Sequence, residues 1–311
     1  MAGREAKGTG SKYHRAFMDD VPRDTQIPKA AAFILLSGAL FALMAATVKA
    51  ASSELPEAMI VFFRNSMGLM VLVPWLVFGR SRGFSTRDPL GHTVRGLAGV
   101  AAMYCYFYAV ARTRLADAVL LNQCSPLFIP VVERVWLGER IPPKLWLVLS
   151  VGFCGLLVIL RPGTTLFTPV SLVGLASGIL AALAQVGIRR LTRTEPVTRI
   201  VFYFGVVGSL VSAPPAAFVW RNPSPAIWGA LLMLGVFATA GQLSLTKGYS
   251  FGPAGLVGPF VFAGPIFAGL IDWALWNQPP DAFFIAGATL VILSGTLALR
   301  LREEAAPEIE T

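Results

Sequence analysis

Ile60-Val61-Phe62-Phe63-Arg64-Asn65-Ser66-Met67-Gly68-Leu69-Met70-Val71-Leu72-Val73-Pro74 returns 140 residues later as Ile200-Val201-Phe202-Tyr203-Phe204-Gly205-Val206-Val207-Gly208-Ser209-Leu210-Val211-Ser212-Ala213-Pro214. Six of the fifteen positions are identical, several times what a shared apolar composition gives by chance. The preceding stretch repeats at the same interval. Ser37, Gly38, Leu40, Ala42 and Leu43 recur as Ser177, Gly178, Leu180, Ala182 and Leu183, and each run continues to a cation, Lys49 or Arg189. Two copies at a long fixed period mark a duplicated unit. If each copy crosses a membrane an odd number of times, the second enters from the opposite side, the inverted-repeat arrangement common among secondary transporters.

Composition supports the membrane. The 311 residues are 55% hydrophobic and only 14% charged, against about a quarter charged in a soluble domain. Mean hydropathy is +0.65 and the pI about 9.9. A basic pI can signal nucleic acid, but the cations lie in short loops between apolar stretches, so no nucleic-acid partner is expected. Cys105, Cys124 and Cys154 all lie in apolar runs, with neither a disulfide framework nor a metal spacing. The polar stretch 1–29 has no short apolar core before a cleavage site and reads as a cytoplasmic tail. The acidic stretch 303–311 reads as a second tail.

About twenty apolar residues cross a bilayer. Ten such stretches can be laid down, at 30–48, 58–78, 92–111, 115–136, 143–160, 169–188, 198–219, 226–246, 253–275 and 282–300. With the N-terminus in the cytoplasm, 20 of the 26 Lys and Arg fall inside and 5 outside, counting Arg95 with the 79–95 loop and leaving Arg64 within a span. The positive-inside rule therefore puts both termini in the cytoplasm and inverts the second copy.

From the fourth span onward the motifs become recognisable. Tyr108-Ala109-Val110, Leu115-Ala116-Asp117-Ala118-Val119, Pro126 and Leu137-Gly138-Glu139-Arg140 are followed in the second copy by Gly248-Tyr249, Gly252-Pro253-Ala254-Gly255-Leu256-Val257 and Pro265. Their order and spacing resemble the drug/metabolite transporter superfamily, and within it the ten-helix EamA-type branch. The resemblance implies an all-α polytopic membrane protein of ten transmembrane helices, as two inverted five-helix repeats over 30–162 and 163–302. It implies a carrier of a small molecule in a bacterial inner membrane, without cofactor or metal. Helices one, three, four, six, eight and nine would line a central cavity. Efflux of an amino acid or related metabolite is the default activity. Import of a vitamin or nucleoside-like compound, such as riboflavin or S-adenosylmethionine, is the alternative. The copies differ where their chemistry differs: Arg64 faces Phe204 in the alignment, Ala45 faces Gln185, and Ala102 faces Gln242.

Arg64 is the costliest residue, about 12 Å from the outer end of its span at 1.5 Å per residue. A charge at that depth costs about 3 kcal/mol unless paired or hydrated. It either contacts an anionic group in the cavity or pairs internally with Asp117 or backbone carbonyls. The second reading is preferred, because the resembled family keeps a basic residue on this helix outside the cavity. Asp117, Glu133 and Asp272 lie near helix ends; Glu133 reads as an interfacial partner of an arginine, and Asp272 as an outer-mouth or anchoring residue. Amides exposed to lipid are costly, so Gln185, Gln242, Asn122 and Gln123 should face a wet cavity or another helix. With Tyr104 and Tyr108, one face of the third helix at i,i+4, they form the candidate substrate contacts and suit a neutral or zwitterionic metabolite. Pro126 and Pro265 are matched kinks and hinge candidates. Gly152, Gly155, Gly287 and Gly295 suit close helix contact, either within the chain, the preferred reading, or at a homodimer interface.

Two other function classes fare worse. An intramembrane enzyme needs catalytic groups at depth, yet the two histidines, His14 and His92, lie in the tail and at a helix edge, with no catalytic motif around them. A channel would show a filter loop or a ring of charges, and neither is visible.

Overall fold

The computed structural model describes residues 26–78, 84–139, 142–163 and 168–303; the expected tails fall almost wholly outside them. All ten spans are helical, and no strand occurs among the described residues. They are α1 (Ile27–Ala51), α2 (Glu57–Phe78), α3 (Pro89–Val110), α4a and α4b (Leu115–Asn122, Ser125–Leu137), α5 (Pro143–Leu160), α6 (Pro169–Leu191), α7 (Val197–Phe218), α8 (Pro225–Ser250), α9a and α9b (Ala254–Val257, Gly264–Trp276) and α10 (Ala282–Glu303). Eight are long and apolar enough to cross a membrane on those grounds alone. The other two are α3, with His92 and Arg95 in its first half, and the broken α4. Proline opens many of them, at Pro28, Pro89, Pro143, Pro169 and Pro225, where the missing N–H costs nothing.

The halves interlock instead of forming separate bundles. α1 packs on α8 and its repeat mate α6 packs on α3; α2 packs on its own mate α7, and α5 on its mate α10. This pairing is the signature of a pseudo-two-fold axis relating inverted repeats.

Spans four and nine are not the continuous helices the sequence suggests. α4 breaks at Gln123-Cys124, and a 3-10 turn over Gly258–Ala263 separates α9a from α9b. Pro126 and Pro265 therefore do not kink a helix from within. Each sits in the first turn of the segment after the break, where it removes no helical hydrogen bond. The repeated Ser-Gly pair accounts for how the breaks pack. A Cβ on Gly178 would lie 2.6 Å from the Leu121 carbonyl oxygen, and one on Gly38 would lie 3.3 Å from the Phe267 ring beside Gly264. Helices one and six thus ride directly over the breaks of the opposite half. Gly155 and Gly287 face each other's backbone so closely that a Cβ on either would come within 2.7 Å of the other's carbonyl oxygen. That is internal packing of α5 on α10.

Candidate functional site

Arg95 lies in the second turn of α3, which starts at Pro89 with the Asp88 carboxylate accepting the Gly91 N–H at 2.8 Å. It is not a loop cation, as the sequence count took it to be; it is 3% exposed. Its Nη2 donates to Gln242 Oε1 at 2.9 Å, and its guanidinium lies 3.7 Å from the centroid of Phe204. Its Nε and Nη1 are buried and make no hydrogen bond among the described residues. Arg64, on α2, approaches the same ring at 5.8 Å and makes a long 3.4 Å contact to Asn65 Oδ1. The two guanidiniums are therefore within about 10 Å of each other across one ring.

Arg64, Asn65, Phe204, Thr239 and Gln242 line a small cavity of about 20 Å³ between α2, α7 and α8, room for about one water. Asn65 is held by its own helix, Nδ2 donating to the Val61 carbonyl at 2.9 Å. The Thr239 hydroxyl donates to the Gly68 carbonyl at 2.9 Å. Each arginine in an apolar span costs about 3 kcal/mol on insertion scales. Mutual repulsion at ~10 Å, with an effective dielectric of ~20, adds about 2 kcal/mol. A desolvated cation–π contact returns about 2 kcal/mol, so the pair is under-compensated as it stands.

The sequence candidates distribute unevenly around this centre. Gln242 belongs to it. Gln185 instead joins a second buried cluster: it accepts from the Tyr249 hydroxyl and donates to Ser125 Oγ at 3.3 Å, while Arg189 donates to the Tyr249 carbonyl at 3.2 Å. Asn122 donates to Ser177 Oγ at 3.1 Å and Gln123 makes a 3.4 Å contact to the Val261 carbonyl, so both satisfy the polar breaks. Tyr104 keeps a buried hydroxyl with no partner among the described residues, and Tyr108 is exposed beneath Arg112. Neither tyrosine lines the cavity. Arg64 does not pair with Asp117, whose carboxylate instead accepts the Gly163 N–H at 2.7 Å beyond the end of α5. Asp272 lies 3.8 Å from Lys49, which stacks on Trp276. Among the described residues no arginine lies within ion-pair distance of Glu133. It is buried, and its two oxygens accept the N–H groups of Ala254 and Gly255, each at 2.7 Å. The sequence reading gave Arg95 no role and counted it with the loop cations, although its own third span, 92–111, contains it, and the Asp88-Pro89 cap and first turn set it a full turn further inside.

The connections on the N-terminal face are cross-braced. Glu195, between α6 and α7, accepts from the Thr86 hydroxyl at 2.6 Å, the Arg87 N–H at 2.9 Å and the Arg199 guanidinium. Burial would raise its pKa, but those three donors outweigh it and hold the carboxyl down to about 2. Arg190 pairs with Asp88 at 2.9 Å and Arg193 with Glu139. On the opposite face Arg161 pairs with Asp281, and Ser224 donates to Glu54 at 2.9 Å.

Comparison with known proteins agrees with this architecture. The EamA-like transporter family matches residues 28–161 and again 168–300. A pseudopaline exporter of Pseudomonas aeruginosa is 37% identical over 265 residues, covering 84% of this chain and 92% of its own. An S-adenosylmethionine uptake transporter of Rickettsia prowazekii is 27% identical, covering 75% of this chain and 79% of its own. A riboflavin transporter of Brucella anthropi is 26% identical, covering 79% and 89%. A solved crystal structure superposes with a TM-score of 0.77 over 90% of this chain and 100% of that one at 20% identity, a likeness of fold.

Proposed function

The chain belongs to the EamA-like transporter family, and from that premise we propose that it is a secondary carrier, and not an enzyme, that exports a small organic metabolite across a bacterial inner membrane with both termini in the cytoplasm. The observation that carries this reading is the polar centre at Arg64, Arg95 and Gln242, built where helices of the two halves meet. Inverted repeats bind at such a junction and rock around it. Both faces are braced by ion pairs and the cavity holds about one water, the picture expected of a carrier between its open states. Export is favoured because the 37% identical relative is an exporter, while the S-adenosylmethionine uptake transporter stands at 27%. Import of a vitamin or nucleoside-like metabolite is the second reading, supported by the S-adenosylmethionine uptake transporter. Metabolite pools inside and outside cells with and without the gene test both. A pool that rises inside when the gene is removed fits export, one that falls fits import, and unchanged pools refute the carrier reading.

A further inference from the structure

Resting on the carrier reading, the geometry points to an anionic substrate whose carboxylate or phosphate oxygens are held between Arg64 and Arg95. Two guanidiniums converge on the ring of Phe204 from different helices, and among the described residues no Asp or Glu lies within ion-pair distance of either. The carboxylates nearest in character are committed elsewhere: Glu195 to Arg199, Asp88 to Arg190, Glu139 to Arg193 and Glu133 to backbone amides. A buried cation in a membrane bundle ordinarily finds a partner or marks a substrate path. Arg95 is the sharper case, since two of its three nitrogens are buried without a hydrogen-bond partner among the described residues.

The amide oxygens around them are turned toward the two arginines. Gln242 Oε1 already receives Arg95, and Asn65 Oδ1 faces Arg64. An ammonium group therefore finds no carboxylate here, which turns the neutral or zwitterionic expectation toward a substrate with an anionic group at this end. Charge-assisted bonds from guanidinium to carboxylate or phosphate are the strong class of hydrogen bond, and arginine suits both geometries. In the present conformation the cavity takes about one water, so the anion enters when α2 parts from α7 and α8.

A site built of unpaired charge has an unusual signature: removing a charge should not weaken the empty protein. The full-length protein, purified in detergent, is melted with millimolar succinate, with inorganic phosphate, and with sodium chloride at matched ionic strength. Wild type should melt higher with one or both anions than with chloride. A response to succinate alone identifies a carboxylate site, and to phosphate alone a phosphate site. R64Q and R95Q should keep or raise the anion-free melting point while weakening the anion response about 30-fold or more, the cost of losing one partner of a buried charge pair. R64K should retain part of it. No anion response in wild type, or an undiminished one in R64Q, overturns the assignment. R64Q decides if R95Q does not fold, because among the described residues Arg64 makes one long hydrogen bond. Metabolite pools of cells carrying R64Q separate this claim from the carrier reading. Responsive pools that are uncharged or cationic, and still carried by R64Q, sink the anion while leaving the carrier. Pools unresponsive even to the wild-type gene sink the carrier and the anion claim with it.

Discussion

Glu133→Ala should be among the most destabilising single changes in the chain. The carboxylate is 3% exposed and receives two backbone N–H groups at 2.7 Å, from Ala254 and Gly255. These amides open α9a and have no helical acceptor of their own, so Glu133 on the first half closes the start of span nine on the second. There is no slack at the contact: a Cβ on Gly255 would lie 2.9 Å from Glu133 Oε2. A hydrogen bond is worth about 0.5–1.5 kcal/mol net, and each buried amide left without an acceptor costs about 1–3 kcal/mol of desolvation. Two such bonds put Glu133→Ala at about 3–5 kcal/mol. Glu133→Gln keeps one acceptor oxygen and should lose roughly half of that. At about 2–4 °C per kcal/mol, Glu133→Ala should lower the melting midpoint by roughly 5–20 °C. The assay is the fraction of protein still monodisperse by size-exclusion chromatography after heating in detergent. An unchanged midpoint for Glu133→Ala would refute the cap. A midpoint for Glu133→Gln as low as that for Glu133→Ala would show that the charge, and not the acceptor, holds the joint.

Three further outcomes follow from the packing and the polar contacts. Gly287→Ala drives a methyl to 2.6 Å from the Gly155 carbonyl oxygen, so α5 and α10 must separate, at a cost of about 1–3 kcal/mol in thermal unfolding; wild-type stability would mean the helices are not held at this distance. Gln185→Ala and Gln242→Ala should part company. The first strands the buried Tyr249 hydroxyl and lowers stability by about 1–3 kcal/mol, while the protein that folds still transports. The second strands the Arg95 guanidinium at a similar or larger cost, and the protein that folds transports poorly. Melting, and transport per folded protein, measured on the same preparations check both, and equal transport per folded protein would contradict the separate clusters. Glu195 is held at about 2, below the ~4.3 of an unfolded glutamate. Its contribution is fully present above that unfolded value and is lost as pH falls toward 2. Melting of wild type between about pH 5 and pH 2 should therefore fall more steeply than that of Glu195→Gln, and parallel curves would argue against the brace.

The inverted fold was legible because apolar runs of membrane length and a 140-residue identity pattern are properties of the chain alone. Gln242 was legible for a similar reason, as an amide in an apolar helix must face something polar. Its partner was not. Arg95 sits near a run of loop cations, and only the Asp88-Pro89 helix start separates it from them. Gln185, Asn122 and Gln123 obey the same burial rule as Gln242, yet they meet hydroxyls and carbonyls of neighbouring helices instead of the cavity. Which partner satisfies a buried amide depends on the rotation of helices about their axes, which periodicity in a near-uniformly apolar span does not encode. The broken ninth helix was hidden too, because Gly258 and Gly264 in an apolar run are compatible with either a continuous helix or a 3-10 turn.

The mismatch of Arg64 with Phe204 acquires a physical cause from the axis. Helices α2 and α7 are repeat mates that pack on one another, so a residue at their crossing lies beside its own counterpart. Gly208, the mate of Gly68, packs against Asn65, where a Cβ would come within 2.7 Å of the side chain. A symmetric pair of arginines at positions 64 and 204 would set two guanidiniums against each other in an apolar span. A symmetric pair of phenylalanines would carry no charge for a substrate to meet. Arg64 with Phe204 is the combination that keeps a cation and gives it a π face to rest on. The same ring then serves Arg95, which enters from α3, while Gln242 from α8 fixes its other end. The repeat mates of the latter two are Gly235 and Ala102, side chains with nothing to offer an anion. Charge is thus concentrated on one side of a symmetric shell, and a substrate bound there meets two chemically different halves. A carrier that rocks its halves against each other needs that inequality if its two open states are to hold the cargo with different strength, because identical walls would bind it equally in both.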